Sequence, residues 1–138
     1  MFKTEQHFLD LIINDCSLYT TFNKNNLECI SPFRIDSDKR EIARADATNA
    51  AKRLTLIASA DFPNNRRSLY LCPECADLGC GAVSVVIEQK GDTFIWRDFG
   101  YENNWEEKLW AEDFANLGPF IFNASEYVDV FQKIVSTL

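Results

Sequence analysis

Ala82-Val83-Ser84-Val85-Val86-Ile87-Glu88, followed by Lys90-Gly91-Asp92 and then by Thr93-Phe94-Ile95-Trp96-Arg97-Asp98-Phe99, is the stretch whose pattern decides the fold. Two runs rich in β-branched and aromatic residues flank a Gly-Asp turn, which is the signature of a β-hairpin. Upstream, Leu69 to Cys72 reads as a further strand, entering the hairpin through the turn Pro73-Glu74-Cys75-Ala76-Asp77-Leu78-Gly79-Cys80-Gly81. Downstream, Leu117-Gly118-Pro119 breaks the chain before a short strand at Phe120-Ile121-Phe122. The sheet is therefore expected to be antiparallel, with this hairpin at its centre.

Helical periodicity is strongest from Glu41 to Ser59, where Ala43, Ala47, Ala50, Leu54 and Ile57 recur at spacings of three and four. Asp36-Ser37-Asp38 supplies start chemistry, and the loop Asp61 to Arg67 ends it. A last helix is predicted after Asn123, which has Glu126 three positions on as in a capping box, with Tyr127, Val130, Phe131 and Ile134 on one stripe. Gln6 to Asn14 suits a short helix after a strand at Phe2-Lys3-Thr4, Leu18 to Phe22 a strand, and Trp105 to Phe114 a short acidic helix opened by Asn103 or Asn104. Together these predict one α+β domain over residues 1–138, an antiparallel sheet with a central β-hairpin packed by about three helices.

With 138 residues the chain is long enough to bury one core without disulfide staples. Its first residues lack the apolar stretch of a secretory signal, and its apolar runs are too short to span a bilayer, so a cytoplasmic location is expected. Five cysteines in a reducing compartment imply free thiols, a metal site or redox chemistry instead of a disulfide framework.

The net charge of −7 is unevenly placed. Residues 1–67 hold ten Lys or Arg against nine Asp or Glu, whereas residues 68–138 hold four against twelve. Asp98, Glu102, Glu106, Glu107, Glu112 and Asp113 follow one another with only Lys108 opposing them, interleaved with Phe99, Tyr101, Trp105 and Trp110. Such a surface repels phosphate backbones and attracts a basic protein, although a solvated acidic face is the simpler alternative.

Catalytic patterns are sparse. His7 is the only histidine, which leaves hydrolytic triads and multi-histidine metal sites without residues to build them, and the chain has no glycine-rich phosphate loop. Cys72-Pro73-Glu74-Cys75 has the spacing of a redox pair, but a thiol of that kind is activated at a helix N-terminus, and here Gly79, Cys80, Gly81 and a β-rich run follow. The same segment offers three thiolates, Cys72, Cys75 and Cys80, for a structural zinc that Cys16, Cys29 or His7 would complete; a packed, glycine-permitted turn is the alternative.

The passage Leu69 to Ala82, with Gly91-Asp92-Thr93, Trp96-Arg97-Asp98-Phe99-Gly100-Tyr101-Glu102 and Gly118-Pro119-Phe120, resembles a group of small bacterial proteins sharing a C-P-E-C-x-D-x-G-C-G segment. Some of those carry a loose oxidoreductase label, which implies no substrate or catalytic residue and does not by itself support a redox role. By class the chain is similar to the immunity proteins of contact-dependent growth inhibition and related polymorphic toxin systems. This second resemblance implies a non-enzymatic bacterial inhibitor that binds a cognate, basic, nuclease-like toxin domain, with no cofactor, nucleic acid or membrane as partner. Asp98, Tyr101, Glu102, Trp105, Glu106, Glu107 and Trp110 are the candidate contact residues, the tryptophans and Tyr101 as anchors and the carboxylates as mimics of phosphate charge. A thiol or zinc protein centred on Cys72, Cys75 and Cys80 is the alternative.

Overall fold

In the computed structural model, described for residues 8–24, 27–35, 40–72 and 78–138, the hairpin is the middle of a four-stranded antiparallel sheet. Its strands are β3 (Arg66–Leu71), β4 (Ala82–Lys90), β5 (Thr93–Glu102) and β6 (Phe120–Asn123), in the order β3-β4-β5-β6. Two short strands, β1 (Ile12–Ile13) and β2 (Cys16–Ser17), pair separately, and three helices are described: α1 (Leu18–Asn23), α2 (Arg40–Leu54) and α3 (Ala124–Thr137). The fold is α+β, as the hairpin and the helical periodicities imply. The strand expected at Phe2-Lys3-Thr4, the residue His7, the turn at Asp36-Ser37-Asp38 and Cys75 lie outside the described residues.

Helices α2 and α3 pack together and against the sheet, and one side chain explains much of their placement. Tyr127 stacks on Phe94 of β5 at 4.3 Å between ring centroids, accepts a hydrogen bond from Trp96 Nε1 (2.9 Å) and donates one to the Leu54 carbonyl at the end of α2 (2.5 Å). Ala43, Ala47, Ala50, Ala51 and Leu54 are buried, so α2 presents a small-residue stripe that lets the helix sit close. It ends at Leu54, earlier than the spacing suggested. Leu56 takes a positive φ of 66°, and Leu56 N and Ile57 N donate to the carbonyls of Arg53 and Lys52, the hydrogen-bond pattern of a Schellman cap. Ile57 therefore lies beyond the helix and is exposed. Arg67, itself buried, supplies the rest of this terminus by donating from Nη1 to the Arg53 and Ala58 carbonyls (2.7 and 2.6 Å).

Three further expectations are corrected. Residues 8–14 hold a bridge at Phe8 and the strand β1 in place of a helix. Here Asp10 is drawn away from helix formation, because it accepts from the Tyr70 hydroxyl (2.5 Å), from Tyr19 N (3.0 Å) and from Ser17 Oγ. Leu18 to Phe22 is helical, not a strand: Ser17 caps it by accepting from Thr20 N (3.0 Å), and Leu18 and Phe22, four apart, fall on one buried side. In α3 the cap at Asn123 is present, with its side chain accepting from Glu126 N (3.1 Å), but Val130 points to solvent while Tyr127 and Phe131 are buried.

A polar group of three strands lies inside this frame. Arg66 of β3 donates from Nε to Glu102 Oε2 of β5 (2.9 Å) and to Ser84 Oγ of β4 (3.1 Å), and from Nη2 to the carbonyls of Ser84 (3.3 Å) and Asp98 (2.5 Å). Ser84 Oγ donates to the same Glu102 oxygen. All three residues are buried, at 6, 7 and 0 % exposure for Arg66, Glu102 and Ser84. The β4–β5 register shifts between Ser84 and Val86, and Asp98 there adopts a φ of 54°, a bulge that turns its carbonyl toward Arg66.

Removing one member of a buried ion pair strands the other charge. Glu102→Leu is expected to lower stability by about 3–5 kcal/mol, and the double change Arg66→Met with Glu102→Leu to recover part of that loss, read as urea midpoints in a double-mutant cycle closed by Arg66→Met alone.

The core also dictates a pH dependence. Burial pushes the Cys29 thiol from its usual 9.0 to about 12, with the Asp10 carboxylate adding to the shift. Burial likewise raises the phenols of Tyr70 and Tyr127. The unfolded chain ionises these groups first, so it binds fewer protons than the native state above pH 9, and stability falls as pH rises toward 12. Urea unfolding across that window should show the decline, and Cys29→Ala should make it shallower without abolishing it, because Tyr70 and Tyr127 still contribute.

Candidate functional site

Beyond the bulge, β5 ends with Gly100, Tyr101 and Glu102, and the chain leaves as a loop, residues 103–111, that folds back on β5. No helix forms from Trp105 to Phe114; only a 3₁₀ turn at Glu112–Phe114 is helical. The reason is local. Asn103 Oδ1 accepts from the backbone N–H of Trp105 (3.2 Å) and Glu106 (2.8 Å), which fixes an Asx turn, and Trp110 then pairs with Tyr101 through two backbone hydrogen bonds of 2.8 and 2.9 Å. An extended pairing at Trp110 is incompatible with a helix through it.

Four contacts pin this loop. Besides the Asn103 turn and the Trp110–Tyr101 pairing, the Trp105 indole donates from Nε1 to the Gly79 carbonyl (3.0 Å), and the Tyr101 hydroxyl donates to the Cys80 carbonyl (3.1 Å). The Gly79-Cys80-Gly81 turn is thus a dock for two aromatic side chains. Gly81, at a φ of 102°, lies so close to Tyr101 that a Cβ there would come within 2.0 Å of the hydroxyl oxygen. Gly100 plays the matching part on β5, where a Cβ would come within 2.5 Å of Leu109 Cδ1. Finally Phe114 is buried and meets Phe22 of α1 edge-on at 6.0 Å, closing the far end.

Pinned in this way, the loop still leaves much of its large apolar side chains exposed. Trp105 is 71 % exposed, Leu109 41 % and Trp110 37 %, although their backbones are tied down. Glu107 and Glu112 are exposed and Glu106 half-buried on the same segment, opposed by Lys108, whose Nζ lies 4.9 Å from the Trp110 ring centroid. A depression of about 540 Å³ opens between the loop, the 3₁₀ turn and Leu27.

Five of the seven residues singled out in the sequence meet here: Tyr101, Trp105, Glu106, Glu107 and Trp110. The other two do not. Glu102 is buried against Arg66 and presents no carboxylate to a partner. Asp98 is exposed, but its carboxylate pairs with Arg97, which also binds Glu88. That hydrogen bonding holds Glu88 below the usual carboxylate range and raises Arg97 above the usual guanidinium value. Leu109, Lys108 and Glu112 complete the surface. Arg66 was hidden by standing beside Arg67 at the end of a polar stretch, and Gly100 by lying one residue past the expected end of its strand at Phe99, where β5 in fact continues to Glu102.

The thiols are divided. Cys80 is disulfide-bonded, a departure from the set of free thiols that a reducing compartment would leave, while Cys72 is a half-buried free thiol, Cys16 is exposed and Cys29 buried. A disulfide at Cys80 takes one thiolate from the candidate zinc set, and among the described residues no group of three His, Cys, Asp or Glu is placed to hold a metal. Among the described residues, the 3₁₀ turn Leu78–Cys80 runs directly into β4 and no α-helix stands between them. Tyr101 lies near enough to Cys72 and Cys29 that, after burial, their charges raise its phenol further.

Compared with known proteins, the chain matches no family model, no curated protein and no solved structure. Among the described residues no helix is long and apolar enough to cross a membrane. What the molecule does has to be inferred from its own surface.

The seat of Leu109 against Gly100 is testable. Gly100→Ala should displace that side chain at a cost of roughly 1–3 kcal/mol, the usual penalty of overpacking, and hydrogen exchange of residues 103–111 should accelerate while the backbone of α3 keeps its protection.

Proposed function

We propose that the protein is a non-enzymatic inhibitor, a cytoplasmic bacterial immunity protein that binds a cognate, basic, nuclease-like toxin domain and occludes its active site. The observation that carries this is the tethered loop 103–111. It exposes two indoles and Leu109 within six residues, on a backbone fixed by hydrogen bonds at both ends, with carboxylates around them. Exposed aromatic anchors on a rigid frame are what binding hot spots require, because little side-chain or loop freedom is lost on association. A merely solvated acidic face needs no tryptophan at its crest.

Acidic residues on the rim favour a basic partner and a fast, salt-dependent encounter, while the anchors set how long it lasts. Glu106, Glu107 and Glu112 are the carboxylates placed for this; Glu102 contributes by holding the sheet together. A thiol role remains the second possibility, favoured by the disulfide at Cys80 beside the free Cys72 on the same short segment. Thiol chemistry would make partner binding sensitive to Cys72→Ser, whereas the inhibitor function would not.

The test is titration of the purified full chain with the toxin C-terminal domain encoded immediately upstream of its gene, at two salt concentrations. Tight, salt-sensitive binding that blocks toxicity is expected, and the triple change Glu106→Lys, Glu107→Lys, Glu112→Lys should weaken it at least about a hundredfold while leaving the folded spectrum unchanged. Unaltered binding by that variant would remove this surface, and no binding by the parent chain would overturn the proposal.

A further inference from the structure

The depression beside the loop is lined by Tyr101, Lys108, Leu109, Trp110 and Glu112, among others. Tyr101 and Trp110 stand with ring centroids 6.2 Å apart and planes inclined at 56°, so the two rings form adjoining walls. Lys108 already places its ammonium over the Trp110 face, 4.9 Å from the centroid. That contact shows what the face attracts: the negative ring quadrupole holds a cation there, and the chain has supplied one from two residues away. The segment around it is otherwise acidic, with Glu106, Glu107 and Glu112 set against this single lysine.

We propose that this depression is a receptor for one arginine side chain of the partner, and that Lys108 is a displaceable occupant of it. The inference rests on the proposal that the loop binds a basic protein, and specifies the group bound. A guanidinium suits the place better than an ammonium. It is planar and weakly hydrated, so it stacks on the Trp110 ring while its in-plane N–H groups donate to a carboxylate such as Glu112; an ammonium keeps its water and gains only the point charge. Lys108 is exposed and flexible, and leaves for solvent when a better cation arrives. Until then it shields Trp110 and screens the acidic crest, which restricts binding to partners that bring a cation to this point.

The pocket can be read without any toxin. The full chain is titrated with N-acetyl-arginine amide while the Trp110 indole N–H is followed by NMR, with N-acetyl-leucine amide as the uncharged control. A saturable Trp110 shift with the arginine probe and none with leucine is expected. Lys108→Ala should tighten the arginine affinity about two- to fivefold, the worth of an exposed cation–aromatic contact removed from competition. Lys133→Ala removes the same charge from the outer face of α3 and should leave the affinity unchanged. No Trp110 shift, an equal shift with leucine, equal tightening by Lys133→Ala, or a Lys108→Ala affinity that is unchanged or weaker would overturn the proposal. Arginine binding without toxin-domain binding would retain the pocket and end the immunity function; toxin binding with a silent pocket would do the reverse.

Discussion

The buried pairing of Arg66 with Glu102 is the constraint on which the rest of this structure depends. One guanidinium holds three strands at once, bonding Glu102 and the Asp98 carbonyl on β5 and both the hydroxyl and carbonyl of Ser84 on β4. A charge pair in a core is expensive to desolvate, and a well-packed hydrophobic substitute is often as stable. What the pair adds is geometric. By taking the carbonyl that the bulge at Asp98 turns inward, Arg66 fixes where β5 bends, and the bend sets the course of Gly100, Tyr101 and Glu102. With apolar side chains in place of this network, the strands would still attract one another but their register at the bulge would be set less firmly.

The loop 103–111 inherits that geometry. Its attachments to Tyr101, Gly79 and Gly100 all refer back to the end of β5 or to the turn that enters β4, so the loop belongs mechanically to the hairpin even though its side chains face water. Fold and proposed binding surface therefore meet at one place. Tethering the backbone and exposing the indoles are opposite demands on the same nine residues, reconciled by spending backbone N–H groups and the Trp105 indole N–H on anchorage while much of both indole rings stays exposed.

How much of this could be read from the residues varies with how local the causes are. The hairpin, the α2 stripe and the Asn123 cap were legible because each depends on neighbours within a turn or a strand. The acidic, aromatic character of 98–113 was legible from composition, and so was its candidacy as a surface. Its shape was not. A helix through Trp105 fits the local charges, and what defeats it is the pairing of Trp110 with Tyr101. The fate of Glu102 was equally hidden: among many acids nothing in its own surroundings marks it as buried, and the partner that buries it stands 36 residues earlier in the chain. Leu18 to Phe22 misled for a related reason, since Thr and aromatic residues favour strands in general while Ser17 and Asp10 cap a helix here.

If the surface is a prepared binding site, its backbone must be as ordered as the sheet that carries it. Backbone 15N relaxation of the free, full-length protein tests this most directly. Order parameters of about 0.85 through residues 103–111, equal to those of β4 and β5, are predicted, whereas values below about 0.6 would mean a mobile acidic loop and would contradict the account.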